Sequence, residues 1–358
     1  MTRVLCLNPG STSTKVGLFE GLTPLYAGTV HHPPEELAGF ARVIDQADHR
    51  LAAILRLLRD AAVDTGDLAA VVGRGGLTRP IPGGTYEVTP RLLADVADSP
   101  MGEHASNLGA VLADRLGRLW GAPAYIVDPV MVDELDPLAR LSGHPEIERR
   151  SIFHALNAKA VARRYARDHH CRYDEANLIV AHLGGGISVS AHHQGWVVDV
   201  NNALDGDGPF APERAGGLPT AAWARLCLSG RSTPDECRKL LAGRGGLVSL
   251  LGTNDGREAR RRADAGDARA ALVLDALGHQ IAKEIGACAA VLRGAVDAVV
   301  LTGGLAHDET LVAAITERVG FVAPVVVYPG EDELLALAEG ALRVLRGEEK
   351  AKRYGRAR

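Results

Sequence analysis

Apolar and polar positions alternate along this chain in two designs that each occur twice. Leu5 to Phe19 (LCLNPGSTSTKVGLF) is an apolar run, a Gly/Ser/Thr turn and a second, alternating run, and Ile179 to His193 (IVAHLGGGISVSAHH) repeats that plan. Each pattern predicts a β-hairpin. Ala70 to Leu77 (AVVGRGGL) is matched by Ala298 to Leu305 (AVVLTGGL), and both read as a buried strand that runs into a glycine turn. Between the strands, Asp48 to Asp60, Glu103 to Leu119 and Arg269 to Leu292 carry apolar residues at helical spacing. The last of these is rich in Ala and Gly, where close packing is expected, and the second places His104 near a helix start.

Two copies of a hairpin and of a strand with a glycine turn point to a duplicated α/β unit with a nucleotide cleft between the copies. Coincidence among strands rich in Val and Gly is the alternative for either echo alone. A chain of 358 residues is long for one core, and 46% hydrophobic residues are enough to fill two.

Composition removes several function classes. The N-terminus has no basic region followed by an apolar core and a cleavage site, and no apolar run approaches the roughly 18 residues of a membrane span. A soluble, cytoplasmic protein is the expectation. Cys6, Cys171, Cys227, Cys237 and Cys288 form no CxxC pair, so reduced thiols are expected. A net charge of −4 offers no broad footprint for nucleic acid, and the short basic tail KAKRYGRAR reads as a solvated end.

The hairpin turns carry the first chemistry. Glycine lets backbone N–H groups approach a phosphate, and Ser and Thr add donors without bulk, so Gly10 to Ser13 and Gly184 to Gly186 are candidate phosphate cradles. Neither matches the GxxxxGK[ST] or GxGxxG pattern in its strand-to-helix setting. The turn Leu301-Thr302-Gly303-Gly304-Leu305 would let a base or ribose lie against backbone. Asp128 follows the apolar run APAYIV and is expected at the carboxyl end of a strand, where open α/β folds place ligands.

Taken in order, the blocks Asn8 to Ser13, Gly73 to Leu77, HASNLGA from His104, IVDPVMVDE from Ile126, SIFHALN from Ser151, AHLGGGISV from Ala181, VNNALDGDGPFAPERAGGLP from Val200, LTGGLA from Leu301 and VYPGEDEL from Val327 resemble butyrate kinases of the acetate kinase family, from near Arg3 to about Tyr354. The resemblance implies a duplicated two-domain actin-like (ribonuclease H-like) α/β fold with a nucleotide cleft between the domains, each domain built on a five-stranded mixed sheet. It implies an N-terminal domain over 1–155, completed by a C-terminal helix over about 334–358, and a nucleotide-binding domain over 156–333. The implied activity is reversible transfer of the ATP γ-phosphoryl group to butyrate or a branched four-to-five-carbon acid, with Mg²⁺ or Mn²⁺. Branched-chain fatty acid, acetate and propionate kinases are close alternatives. Implied partners are ATP and a small carboxylate, with neither nucleic acid nor membrane, in a homodimer or larger homo-oligomer.

By the same resemblance, Arg74 and Arg214 hold the carboxylate and the transferring phosphoryl group, a task suited to a planar fork that never deprotonates. His154 contacts the phosphoryl group in flight, His182 is another phosphate contact, and Asp128 orients the magnesium shell and the basic residues. His104, Phe153 and Gly76 are implied at the acid pocket. Asn8, Gly10, Ser11, Thr12 and Ser13, then His182, Gly184, Gly185 and Gly186, then Thr302, Gly303 and Gly304 are implied at the phosphates and nucleotide. Asn8, Glu331 and Glu333 are candidates for the metal, with the choice among Glu331, Asp332 and Glu333 open and solvated helix-start carboxylates the alternative for two of them. For Asn8 the alternative is a turn residue, and for each named histidine a satisfied structural one.

Acetate kinases have a valine where this chain has Gly76, so the glycine either widens the acid pocket by roughly two to three methylenes, each worth about 0.8 kcal/mol, or serves turn geometry alone. A carboxylate is already ionised at neutral pH and needs no general base. A sugar kinase of the same superfamily would need one, such as Asp128, and a non-catalytic nucleotide-binding relative would need no basic acceptor site.

Overall fold

The computed structural model describes residues 2–355. Its strands are β1 (Arg3–Pro9), β2 (Ser13–Glu20), β3 (Thr23–His31), β4 (Leu68–Arg74), β5 (Thr85–Glu87), β6 (Ala124–Val127), β7 (Leu141–His144), β8 (Ile147–Glu148), β9 (Asn177–Leu183), β10 (Ile187–His193), β11 (Trp196–Val200), β12 (Ala298–Gly303), β13 (Val325–Pro329) and β14 (Lys352–Arg353). The chain forms two compact units. One runs to Val132 and resumes at Asp332, and the other spans Asp133–Glu331. These divisions fall earlier in the chain than the expected ones at 155 and 333.

Both predicted hairpins are present, β1 with β2 and β9 with β10, each antiparallel. In the first unit β1 also pairs parallel with β4, and β4 parallel with β6. The second unit repeats this, with β9 parallel to β12 and β12 parallel to β13. The order β3-β2-β1-β4-β6 therefore has its counterpart in β11-β10-β9-β12-β13. The repeated sequence segments occupy equivalent strands of the two sheets.

The first sheet departs from the expected five strands. β5 pairs antiparallel with β6, and β14 pairs parallel with β5, giving seven strands in the order β14-β5-β6-β4-β1-β2-β3. The expected helix over 334–358 is also shorter. It spans Glu333–Leu345, and Gly347 beyond it takes a φ of 74°, which turns the chain toward β14. The end of the basic tail, 356–358, lies outside the described residues.

Period-two alternation sorts the core. Leu5, Leu7, Val16 and Leu18 face Ile54 and Leu58 of the helix Ala47–Asp60 and Leu108, Leu112 and Leu116 of the helix Asn107–Trp120. Gly17, opposite Cys6 in the hairpin, lies against Leu334 of the helix Glu333–Leu345, so the alternate residues of β1 and β2 face that helix. In the second unit, Ile179, Ala181, Leu183, Ile187 and Val189 pack on Val273, Leu277, Ile281 and Ile285 of the helix Ala268–Val291. Asp267 caps that helix by accepting from the N–H groups of Arg269 and Ala270.

The helix predicted from Glu103 begins instead at Asn107. Before it, Nδ1 of His104 lies 2.8 Å from the Ser106 hydroxyl and accepts from the Ser106 N–H at 3.2 Å, a local turn that competes with helical bonding. His104 thus precedes the helix.

β4 meets the helix Asn107–Trp120 backbone to backbone. A Cβ at Gly73 would overlap the Gly109 carbonyl, and one at Gly109 would overlap the carbonyl of Arg74. A Cβ at Gly76 would stand 2.5 Å from the Asn107 Cα and 2.6 Å from its nitrogen. This overturns the pocket-widening reading of Gly76: the space beside it is filled by backbone, so the glycine allows a close approach. Asn107 then closes the turn by accepting the Leu77 N–H at 2.8 Å. Replacing Gly76→Ala should destabilise the protein by about 1–3 kcal/mol through overpacking, read as a lower denaturation midpoint. An unchanged midpoint would mean that the helix can retreat at no cost.

Candidate active site

In the first unit, three residues distant in sequence meet at the sheet's end. Arg74 ends β4, Asn8 lies near the end of β1 and Glu333 opens the helix Glu333–Leu345. Nη1 of Arg74 lies 2.8 Å from Oε1 of Glu333 and donates to Oδ1 of Asn8 at 3.4 Å. The Asn8 amide in turn donates to Oε2 of Glu333. Both carboxylate oxygens are thereby held, and the guanidinium is aimed by a half-buried ion pair.

Asp128 follows β6 directly, as its position after APAYIV predicts, and it is 2% exposed. Its carboxylate accepts the Gly84 N–H at 2.6 Å, while its own N–H donates to the Gly84 carbonyl at 3.0 Å. Its φ of 36° is in the left-handed region, where a side chain other than Asn or Asp is costly. The neighbouring Pro129 lies against Gly75, whose added Cβ would meet it at 2.5 Å. His104 is exposed by surface area, but crowding of its ring and then the charge of Arg74 hold its pKa below the ordinary imidazole value.

The turn after β1 leaves Ser11 and Thr12 exposed, with Gly10 donating to the Ser13 carbonyl at 2.7 Å. Its carbonyls are gathered by Arg50, a residue the sequence reading passed over as scaffold. The signal was present, since Arg50 shares the buried stripe of its helix with Ala47, Ile54 and Leu58.

In the second unit, His154 precedes the helix Ala155–Asp168 and stacks on His182, the ring centroids 3.8 Å apart and the planes 12° from parallel. His154 Nδ1 is 3.1 Å from the Ser188 hydroxyl, and His182 Nδ1 is 2.8 Å from Oδ1 of Asn157. That bond places a proton on Nδ1 of His182. Its Nε2 lies 3.1 Å from Oε1 of Glu331 without a hydrogen bond between them. Phe153 beside this pair is buried at 2% exposure.

A cleft of about 890 Å³ opens over the same unit, lined by Gly184, Gly185, Gly304 and Glu331. A Cβ at Gly185 or Gly304 would meet nothing within 4 Å, so both leave their backbone open. Gly186 lies against the Ala203 carbonyl and the His154 ring. Thr302 and Gly303 are also tied to the sheet. The Thr302 hydroxyl is buried and donates to the Gly330 carbonyl at 3.2 Å. Gly303, at a φ of 89°, packs on Leu183, whose carbonyl would lie 2.5 Å from an added Cβ. The rest of the lining includes Asn254, Arg257, Arg260 and Asp308. Sequence reading missed these, because an arginine-rich helix start reads as a solvated face. Arg260 is braced at 2.9 Å by Asp308.

Arg214 lies near Glu213, donating from Nη1 to that residue's carbonyl at 3.3 Å. Its Nε is buried and has no hydrogen-bond partner among the described residues. A buried donor left open is costly unless a ligand satisfies it. Among the three metal candidates, Asp332 caps the last long helix by accepting the Leu335 N–H at 3.0 Å, which leaves Glu331 beside His182 and Glu333 beside Asn8. Among the described residues, no group of three or more His, Cys, Asp or Glu side chains is arranged to hold a metal, and no helix is long and apolar enough to cross a membrane.

Residues 144–322 match the model of the acetokinase family. The chain is 52% identical to butyrate kinase 1 of Clostridium acetobutylicum over 354 residues, which are 99% of this chain and 100% of that one. It is 49% identical to butyrate kinase 2 of the same organism over 352 residues, 98% of this chain and 99% of the other. Among solved structures, Porphyromonas gingivalis acetate kinase aligns with a TM-score of 0.81 at 21% identity, covering 96% of this chain and 99% of that one. A propionate kinase from Francisella tularensis aligns at 0.74 and 18% identity, covering 95% and 99%. These structural likenesses extend the fold to both units, and the matches in sequence establish that the chain belongs to the acetokinase family.

Proposed function

We propose that this protein is a butyrate kinase, transferring the γ-phosphoryl group of ATP reversibly to butyrate or a branched four-to-five-carbon acid. The observation that carries this reading is the likeness to two butyrate kinases across nearly the whole chain, at 49% and 52% identity. The likeness to carboxylate kinases favours a carboxylate acceptor over a sugar hydroxyl. A hydroxyl needs a base, and the carboxylate of Asp128, buried after β6, is engaged by the Gly84 N–H. A carboxylate acceptor needs no base.

The acid's oxygen forms a bond to the γ-phosphorus as the bond to the β–γ bridging oxygen breaks, and that electron pair leaves with ADP. Three anionic groups must be held together while charge spreads over the equatorial oxygens. Arg74, fixed by Glu333 and Asn8, orients the acid; Arg214, with its open Nε, and His154 donate to the transferring group; His182 and the open backbone at Gly185 and Gly304 face the nucleotide phosphates. Phe153 and His104 bound the acid's surroundings, and Asp128 keeps its segment in register through Gly84.

Magnesium binds through one or two carboxylates together with substrate phosphates and water, so it needs no cage of three protein ligands. Glu333 and Asn8, joined through the Asn8 amide N–H, are the residues that would hold it, with Glu331 as the second candidate. Bound there, the ion would neutralise phosphate charge. A cytoplasmic homodimer or larger homo-oligomer completes the reading, in keeping with the five free cysteines and with Leu228 and Phe321, exposed at 86% and 85%.

Trapping the acyl phosphate with hydroxylamine tests these roles. Arg74→Ala and Arg214→Ala should each lower turnover at least about a hundredfold with the fold intact, since one preorganised oxyanion donor contributes about 3–4 kcal/mol. Near-native turnover would remove that residue from the site. Exhaustive chelation should abolish activity, with recovery on adding Mg²⁺ or Mn²⁺; full activity without a divalent ion would refute the metal assignment.

A further inference from the structure

The most unusual buried charge in the first unit is Arg50. It is 1% exposed, on the apolar stripe of the helix Ala47–Asp60. Its Nη1 donates to the Gly10 carbonyl at 2.8 Å, the Ser13 carbonyl at 3.3 Å and the Thr14 hydroxyl at 3.2 Å. Nη2 donates to the Ser11 carbonyl at 3.0 Å, and Gln46 Oε1 accepts from Nε at 3.0 Å and Nη2 at 2.8 Å. Every one of these acceptors is a neutral oxygen. Burial lowers the guanidinium pKa to about 10, which leaves it charged at neutral pH. Burying a charge without an opposite one is expensive, and carbonyl dipoles offset only part of it.

The consequence falls on the turn. The carbonyls of Gly10, Ser11 and Ser13 are drawn to one guanidinium, and the Thr12 carbonyl accepts the His32 N–H at 2.8 Å. The N–H groups of the exposed residues Ser11 and Thr12 have no protein acceptor among the described residues. A loop whose carbonyls are tied inward and whose N–H groups remain available attracts anions. His32, whose Nε2 is 3.0 Å from the Thr14 hydroxyl, is kept neutral by burial and by Arg50, with a pKa lowered to about 4.

We propose that Arg50 is a positioning residue for phosphate binding, which holds the turn at residues 10–13 with the N–H groups of Ser11 and Thr12 free and places an uncompensated positive charge behind it. This rests on the reading of that turn as phosphate-facing. The alternative is a plain staple that stabilises the hairpin and has no effect on anions.

Calorimetric binding of pyrophosphate and of adenosine to the full chain, with magnesium present, separates the two. Arg50→Gln, which removes the charge, should weaken pyrophosphate about tenfold or more and leave adenosine unchanged. Arg50→Lys keeps the charge without the fork and should show a smaller loss. Arg50→Gln folded, with pyrophosphate affinity within twofold of the unaltered protein, would make Arg50 a staple and overturn the proposal. Should Arg50→Gln fail to fold, Arg50→Lys decides: weaker pyrophosphate binding with unchanged adenosine supports the proposal, and unchanged affinity for both overturns it. Thr12→Pro, lacking one turn N–H, tests the underlying reading. If it weakens pyrophosphate while the Arg50 variants do not, only the proposal fails; if it has no effect, the turn is not the phosphate contact and both fail.

Discussion

Backbone touches backbone where β4 crosses the helix Asn107–Trp120, and the placement of Arg74 depends on that approach. Gly73 and Gly109 leave no room for a side chain between strand and helix, and Gly76 lets the following turn settle on Asn107. Arg74 lies between these glycines, so its direction is set by a contact that cannot be loosened without moving a whole element. In the second unit a glycine turn also allows a close backbone approach, there between strands: Gly303 packs on Leu183 of β9 and pairs with Gly330. The two copies differ in the residue before the glycine pair. Arg74 extends to Asn8 and Glu333, whereas Thr302 turns its hydroxyl into the sheet.

A second common feature is cationic groups that are only partly satisfied. Glu333 steadies Arg74 from one side, Arg214 retains a buried open Nε, and Arg50 is surrounded by neutral oxygens. In a domain selected for stability alone, such charges would be paired or replaced by apolar groups. Under the proposed function the balance reverses, because a polyanionic substrate would supply the missing negative charge.

The hairpins and the repeated strand-and-glycine segments were legible in the sequence because their signals are local: a period of two, a turn of small residues, and a second copy for comparison. Asp128 was placeable for the same reason, at the end of a short apolar run. What was lost depended on distant neighbours. β5 and β14 span three and two residues, too short for alternation to mark, so the first sheet read as five strands. Gly76 was weighed by the volume it lacks, but its neighbour is Asn107, 31 positions away, and that helix backbone decides its role. Arg50 looked like one more charge on a helix, although its spacing from Ile54 and Leu58 marked it as interior. Thr302 and Gly303 were expected at the nucleotide, and their pairing with Gly330, which ties them to the sheet, was not legible from the turn's composition.

With Gly76 packed on the Asn107 backbone, the claim of a butyrate kinase stands on the reaction itself. The most direct measurement is hydroxamate formation from ATP with acetate, propionate, butyrate, isobutyrate, valerate and isovalerate, alongside a panel of sugars. The account predicts acyl phosphate formation, with a four-to-five-carbon acid ahead of acetate in kcat/KM. Phosphorylation of a sugar but of no acid, or ATP binding with no acyl phosphate from any of them, would contradict it.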